Sequence, residues 1–138
     1  ELPKALANYV PYKIVGKTMY ISGQAPVQNG ELIYKGKVGS DVTVEDGIKA
    51  ARLCVTNIIA AVKTGLEGDW DKLDSFVKLT GFVNCQDDFT DQPKIINGAS
   101  DMLVDIFGDQ GRHSRVAVGS NALPLGIAVE IDAIVQLK

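Results

Sequence analysis

The sequence predicts an α+β fold, a sheet with both of its helices on one face. Three observations carry this. Two segments, one beginning near Thr43 and one near Asp91, repeat apolar residues every three or four positions, the period of an amphipathic helix. The segments around them alternate at the two-residue period of strands, punctuated by Gly, Asn and Pro. The order that results is hairpin, helix, strand, helix, hairpin. Strands separated by helices build a sheet that the helices cover from one side. The 138 residues fit a single domain, 1–138, with room for one core.

Residues 1–8 read as an extended arm, with Pro3 and Pro11 nearby. Tyr12 to Val15 and Thr18 to Ser22 flank Gly16-Lys17 and read as a hairpin. Asn29-Gly30 is a tight turn, and Leu32 to Tyr34 a brief strand. Thr43-Val44-Glu45-Asp46 has the form of a capping box, and Ile48, Ala51, Val55, Ile58, Ile59 and Val62 give the helix its core stripe, with Gly65 as its C-terminal cap. Gly47 weakens a helix relative to alanine, so close packing is expected there. Trp70 is expected to pack against a helix end. Ser75 to Cys85 reads as a strand with Val77, Leu79 and Val83 inward and Thr80 and Phe82 on the other face. Asp87-Asp88-Phe89 is a loop. Thr90 or Asp91 caps a second helix with Pro93 in its first turn; Ile95, Ile96, Ala99, Leu103 and Ile106 form its core stripe, and Gly108 ends it.

The last two alternating runs, His113 to Gly119 and Gly126 to Val135, read as an antiparallel hairpin around Asn121 and Pro124. Ile127, Val129, Ile131, Ala133 and Val135 form a core face. Val116 and Val118 are the apparent core pair of the first arm. That assignment puts Arg115 and Glu130 together on the opposite face. From spacing alone they read first as a solvated surface pair, and second as a seat for a small anion. The non-core face, with Phe82, Ala117, Gly119, Ala128 and Ile134, is too apolar to be left in water and predicts a homo-oligomer that buries it.

Composition narrows the function classes. A net charge of −3 without a Lys/Arg cluster argues against a nucleic-acid footprint. Cys54 and Cys85 are too few for a disulfide framework and read as ordinary thiols. One histidine, His113, leaves no zinc ligand set, and it reads first as a strand-end or interface residue. No apolar run reaches membrane-spanning length, and the opening Glu1-Leu2-Pro3-Lys4 has no leader-like apolar core, so a cytoplasmic protein with no membrane partner is expected.

Three separated stretches carry a resemblance. They are Ser22-Gly23-Gln24-Ala25-Pro26, then Thr80-Gly81-Phe82-Val83 followed by Asp88-Phe89, and then Ser114-Arg115-x-x-Val118 with Val129-Glu130-Ile131-x-Ala133-Ile134. Together, and in this order from about Tyr9 to Val135, they resemble the YjgF/RidA family, also called the endoribonuclease L-PSP or reactive-intermediate deaminase family. The resemblance implies a chorismate-mutase-like (ferredoxin-like) α+β fold and a homotrimer with a central β-barrel. It also implies sites in the clefts between subunits. The implied activity is hydrolysis of small enamines and imines, such as 2-aminoacrylate, to a 2-keto acid and ammonia, with no cofactor and no metal.

By the same resemblance Arg115 binds the substrate carboxylate and Glu130 positions the attacking water. Tyr9 lies near the cleft, Ser22 and Gly23 line it from the next subunit, and Phe89 supplies an apolar wall. Ala117 stands where many family deaminases have cysteine, leaving only its backbone for the ligand, and Asp87 stands where the loop often has Asn. These departures mark a divergent subgroup and keep a second function open: a non-enzymatic trimer of the same fold that binds small carboxylates or acts as a regulator. The acidic balance argues against ribonuclease activity.

Overall fold

In a computed structural model, which describes residues 2–5 and 7–138, the chain forms a five-stranded sheet in the order β1-β2-β7-β5-β6, with a separate two-stranded ladder β3-β4. The strands are β1 (Tyr12–Val15), β2 (Thr18–Gln24), β3 (Val27–Gln28), β4 (Glu31–Leu32), β5 (Leu73–Asn84), β6 (Ser114–Ser120) and β7 (Val129–Leu137). The helices are α1 (Val44–Gly65) and α2 (Gln92–Phe107). All pairings in the large sheet are antiparallel except β5 with β6, which is parallel. The α+β architecture and the placement of both helices on one face are as the periodicities predict: α1 packs on β7 and β2, α2 on β5 and β6, and the helices on each other. The brief strand expected at 32–34 is instead Glu31–Leu32, paired with Val27–Gln28 across the Asn29-Gly30 turn.

Thr43 caps α1, its hydroxyl accepting from the Asp46 N–H at 3.1 Å. Its other end differs from expectation. Gly65 is the last helical residue, and the left-handed turn falls on Glu67 and Gly68. Gly65 is small for another reason: a Cβ there would collide with the Met19 side chain. The helices approach closely at Gly98 and Gly47. A Cβ on Gly98 would lie 2.5 Å from the Ile48 carbonyl oxygen, and one on Gly47 2.9 Å from Ile95 Cδ1. Gly108 ends α2 at φ 61°, and Trp70 packs on Phe107, ring centroids 5.3 Å apart.

Two inward positions are corrected. A register shift between Phe76 and Lys78 turns Phe76 into the core and leaves Val77 exposed. Ile106 lies beyond the buried part of the α2 stripe and is also exposed.

The larger correction concerns the C-terminal hairpin. β6 and β7 run antiparallel but do not pair; β5 lies between them. The 121–128 connection crosses the end of β5, spanning two strand spacings, about 10 Å, which its length allows. Alternation and turn residues look the same for a hairpin and for such a crossover. The faces of β6 are also reversed. Val116 and Val118 lie on the open face, 42% and 40% exposed, and Arg115, Ala117 and Gly119 face α2. Small residues suit this side because α2 lies close: a Cβ on Gly119 would sit 2.8 Å from Gln92 Nε2, and only Arg115 extends a long side chain along the helix. Ala128 is fully buried beneath the Tyr34 loop, whose carbonyl accepts its N–H.

Candidate functional site

Register on β5 fixes where Arg115 and Glu130 sit. Arg115 pairs with Leu79, which is buried under the helices, and Glu130 pairs with Phe82. Leu79 and Phe82 are an odd number of residues apart on a regular stretch, so the two charged side chains occupy opposite faces. The expectation that they share one face is therefore wrong. Within one chain they are also two strands apart. The site residues form two separate groups.

The first group surrounds Arg115, on the edge strand β6. Its side chain lies along α2, where Nη1 donates to Ser100 Oγ at 3.1 Å and Nη2 to the Pro93 carbonyl at 3.2 Å. Among the described residues the ion pairs are Lys49–Asp46 and Arg112–Asp109, so the half-buried Arg115 has no acidic partner. Ala117 follows on the same side. Beyond it, at the ends of β5 and β6, opens a cavity of about 250 Å³ whose walls include Phe89, Asp87, Gln92, Gly119 and Asn121. Lys37 ties this end together, donating to Asn84 Oδ1 at 3.2 Å and to the Asn121 carbonyl.

The second group surrounds Glu130, on the open face of β7. Strand β2 carries one extra residue between Ile21 and Gln24 opposite Ala133 and Ile131, and this bulge contains Ser22 and Gly23. The carboxylate lies over Gly23: a Cβ there would be 3.0 Å from Glu130 Cδ and Oε2. Burial, and secondarily the neighbouring Asp132 charge, raise the Glu130 pKa above the ordinary carboxylate value. Beneath it, Cys54 donates to the Val129 carbonyl at 3.5 Å; burial first and the Glu130 charge second push that thiol well up. Ser22 Oγ donates to the Val10 carbonyl at 2.7 Å, which ties down the arm bearing the exposed Tyr9.

Sequence reasoning did not assign Ser100 or Pro93 to Arg115, nor Gln92 and Gly119 to a cavity wall. The signal for Ser100 was faint: it lies at the margin of the α2 stripe, next to Ala99.

The family model described as YjgF/chorismate mutase-like matches residues 1–136. The chain belongs to the YjgF/chorismate mutase-like family. This YjgF-like chain is 42% identical over 142 residues to Protein TCP17 of Trypanosoma cruzi, across all of this chain and 88% of the relative. A solved Agrobacterium tumefaciens protein of unknown function, Atu1372, is 47% identical, with a TM-score of 0.94 over 99% of this chain and 86% of that one. A Shewanella oneidensis structure, solved as a candidate endoribonuclease, is 38% identical with a TM-score of 0.95, covering 99% and 90% of the two chains.

Proposed function

We propose that this YjgF-like chain hydrolyses small reactive imines and enamines of the 2-aminoacrylate type to 2-keto acids and ammonia. It does so as a homotrimer whose sites join the Arg115 group of one subunit to the Glu130 group of the next. The observation that carries this reading is the Arg115 guanidinium, half-buried, held in place by neutral acceptors alone, with no acidic partner among the described residues. A guanidinium of that kind is suited to bidentate binding of a carboxylate, which the substrate supplies. The open face supports the trimer. Val116, Val118 and Tyr20, the last 50% exposed, share it with Phe82, Ile134 and Glu130.

The chemistry asks little of the protein. Arg115 holds the substrate carboxylate, placing the adjacent imine carbon. Glu130, as carboxylate, accepts a proton from the attacking water as the water oxygen bonds to that carbon. Glu130 returns that proton to nitrogen, giving a carbinolamine. A second transfer, from the new hydroxyl to nitrogen, lets the C–N bond break as the C=O forms, releasing the keto acid and ammonia. An enamine enters as its imine tautomer. A raised pKa suits a group that must take and return a proton. Gly23 lets the carboxylate lie close to the strand, Ser22 anchors the arm that bears Tyr9, Tyr9 and Phe89 limit water, and the Ala117 backbone borders the carboxylate seat. Imine generated by a threonine or serine dehydratase tests this: the native protein accelerates ammonia release and Arg115→Ala does not. A rate equal to buffer for several small imines, with pyruvate still binding, would leave only the carboxylate-binding reading.

A further inference from the structure

We propose that Ser100 and His113 are positioning residues for Arg115, fixing its guanidinium through a one-way chain of hydrogen bonds. The proposal rests on the reading of Arg115 as the carboxylate clamp. His113 Nδ1 lies 2.6 Å from the Gly111 carbonyl, which can only accept, so Nδ1 carries the proton. Nε2 of the neutral ring is then an acceptor, and Ser100 Oγ, 2.8 Å away, donates to it. With its hydrogen committed, Ser100 Oγ turns a lone pair to Arg115 Nη1 at 3.1 Å. The direction of every bond follows from the carbonyl at its far end.

That carbonyl has little freedom. Gly111 is buried against the last turns of α2, where a Cβ would strike the Leu103 carbonyl. The chain therefore links a packed backbone group, a ring just before β6, a hydroxyl on α2 and the guanidinium on β6. The Pro93 carbonyl holds Nη2 at 3.2 Å, so both ends of the fork are tied. A guanidinium has five N–H donors, and two are used here, which leaves three for a ligand in one fixed plane. Without the chain, a long side chain on an edge strand would sample many rotamers before binding.

The test measures pyruvate affinity by calorimetry for the native protein and for Ser100→Ala, His113→Leu, His113→Gln and Arg115→Ala, with melting curves for each. Glutamine can offer an acceptor oxygen where Nε2 lies. Ser100→Ala and His113→Leu are expected to weaken binding about tenfold, and His113→Gln to stay within about twofold of the native protein. In the unmutated protein, ¹⁵N NMR is expected to find the Nδ1–H tautomer of His113, with Nε2 shifting when pyruvate binds. Native-like affinity in both Ser100→Ala and His113→Leu, alongside loss in Arg115→Ala, overturns the positioning role and leaves the clamp intact. Native affinity in Arg115→Ala overturns the clamp and the proposal with it. An Nε2–H tautomer overturns the direction of the chain even if the variants fail to fold.

Discussion

Gly23→Ala separates the position of Glu130 from the stability of the fold. Gly23 has no left-handed backbone angle, so alanine meets no conformational penalty there. Its Cβ would lie 3.0 Å from Cδ and Oε2 and 3.2 Å from Cγ of Glu130. Carbon contacts settle near 3.5–4.0 Å, so the carboxylate must withdraw by roughly 0.5–1 Å. What yields is the end of a flexible, half-buried side chain, and the stability cost stays below about 1 kcal/mol. A displacement of this size at a reacting group costs about ten- to a hundredfold in kcat/KM, or roughly 1.4–2.7 kcal/mol. The assay couples a dehydratase to the protein and follows ammonia, with a urea titration alongside. Native kcat/KM in a folded Gly23→Ala protein would refute the idea that this contact places Glu130. Loss of folding would refute the assignment of the strain to a side chain.

Three further outcomes follow from the geometry. Gly98→Ala places a methyl 2.5 Å from a backbone oxygen that cannot yield, and its urea midpoint is expected to fall by the equivalent of about 1–3 kcal/mol, whereas an unchanged midpoint would contradict the helix contact. The raised pKa of Glu130 means the folded protein holds a proton that the unfolded chain has lost, so this group's contribution is full below the unfolded carboxylate pKa and is lost as pH rises through the folded value. Glu130→Gln should therefore match the native Tm in acid and exceed it at neutral pH while losing turnover; parallel Tm curves across that window would count against the burial of the charge. Lysine at both Val116 and Val118 would carry charge into the face that the proposed trimer buries, and light scattering should then find monomers, against a trimer for the native protein. A native monomer at micromolar concentration would remove the basis for that prediction.

The helices and the sheet strands were legible because their signals are local. The α1 stripe, the Thr43 cap and the Gly16-Lys17 turn each depend on a few neighbouring residues. What was not legible was adjacency. β6 and β7 have the alternation and the turn residues of a hairpin, and nothing in either strand announces that β5 inserts between them. The face of β6 was misread for a related reason. Valines usually mark the core side, yet here the core side carries Arg115, Ala117 and Gly119, because α2 leaves room only for small groups and one extended side chain. The bulge at Phe76–Lys78 misplaced Val77 in the same way. For the site, the sequence picked out Arg115 and Glu130 as the notable pair. Their separation onto two faces follows from register on β5, which neither strand reveals alone, and on the proposed reading the two halves meet only across a subunit boundary.

That division is tested most directly by mixing two inactive proteins, Arg115→Ala and Glu130→Gln, under conditions that exchange subunits. A site built from Arg115 of one chain and Glu130 of the next is intact when the Glu130→Gln chain supplies the arginine and the Arg115→Ala chain the glutamate. Random exchange of equal amounts makes about one site in four intact, so roughly a quarter of native deaminase activity should return. No recovery, in a sample where native mass spectrometry finds mixed trimers, would contradict a site shared between subunits.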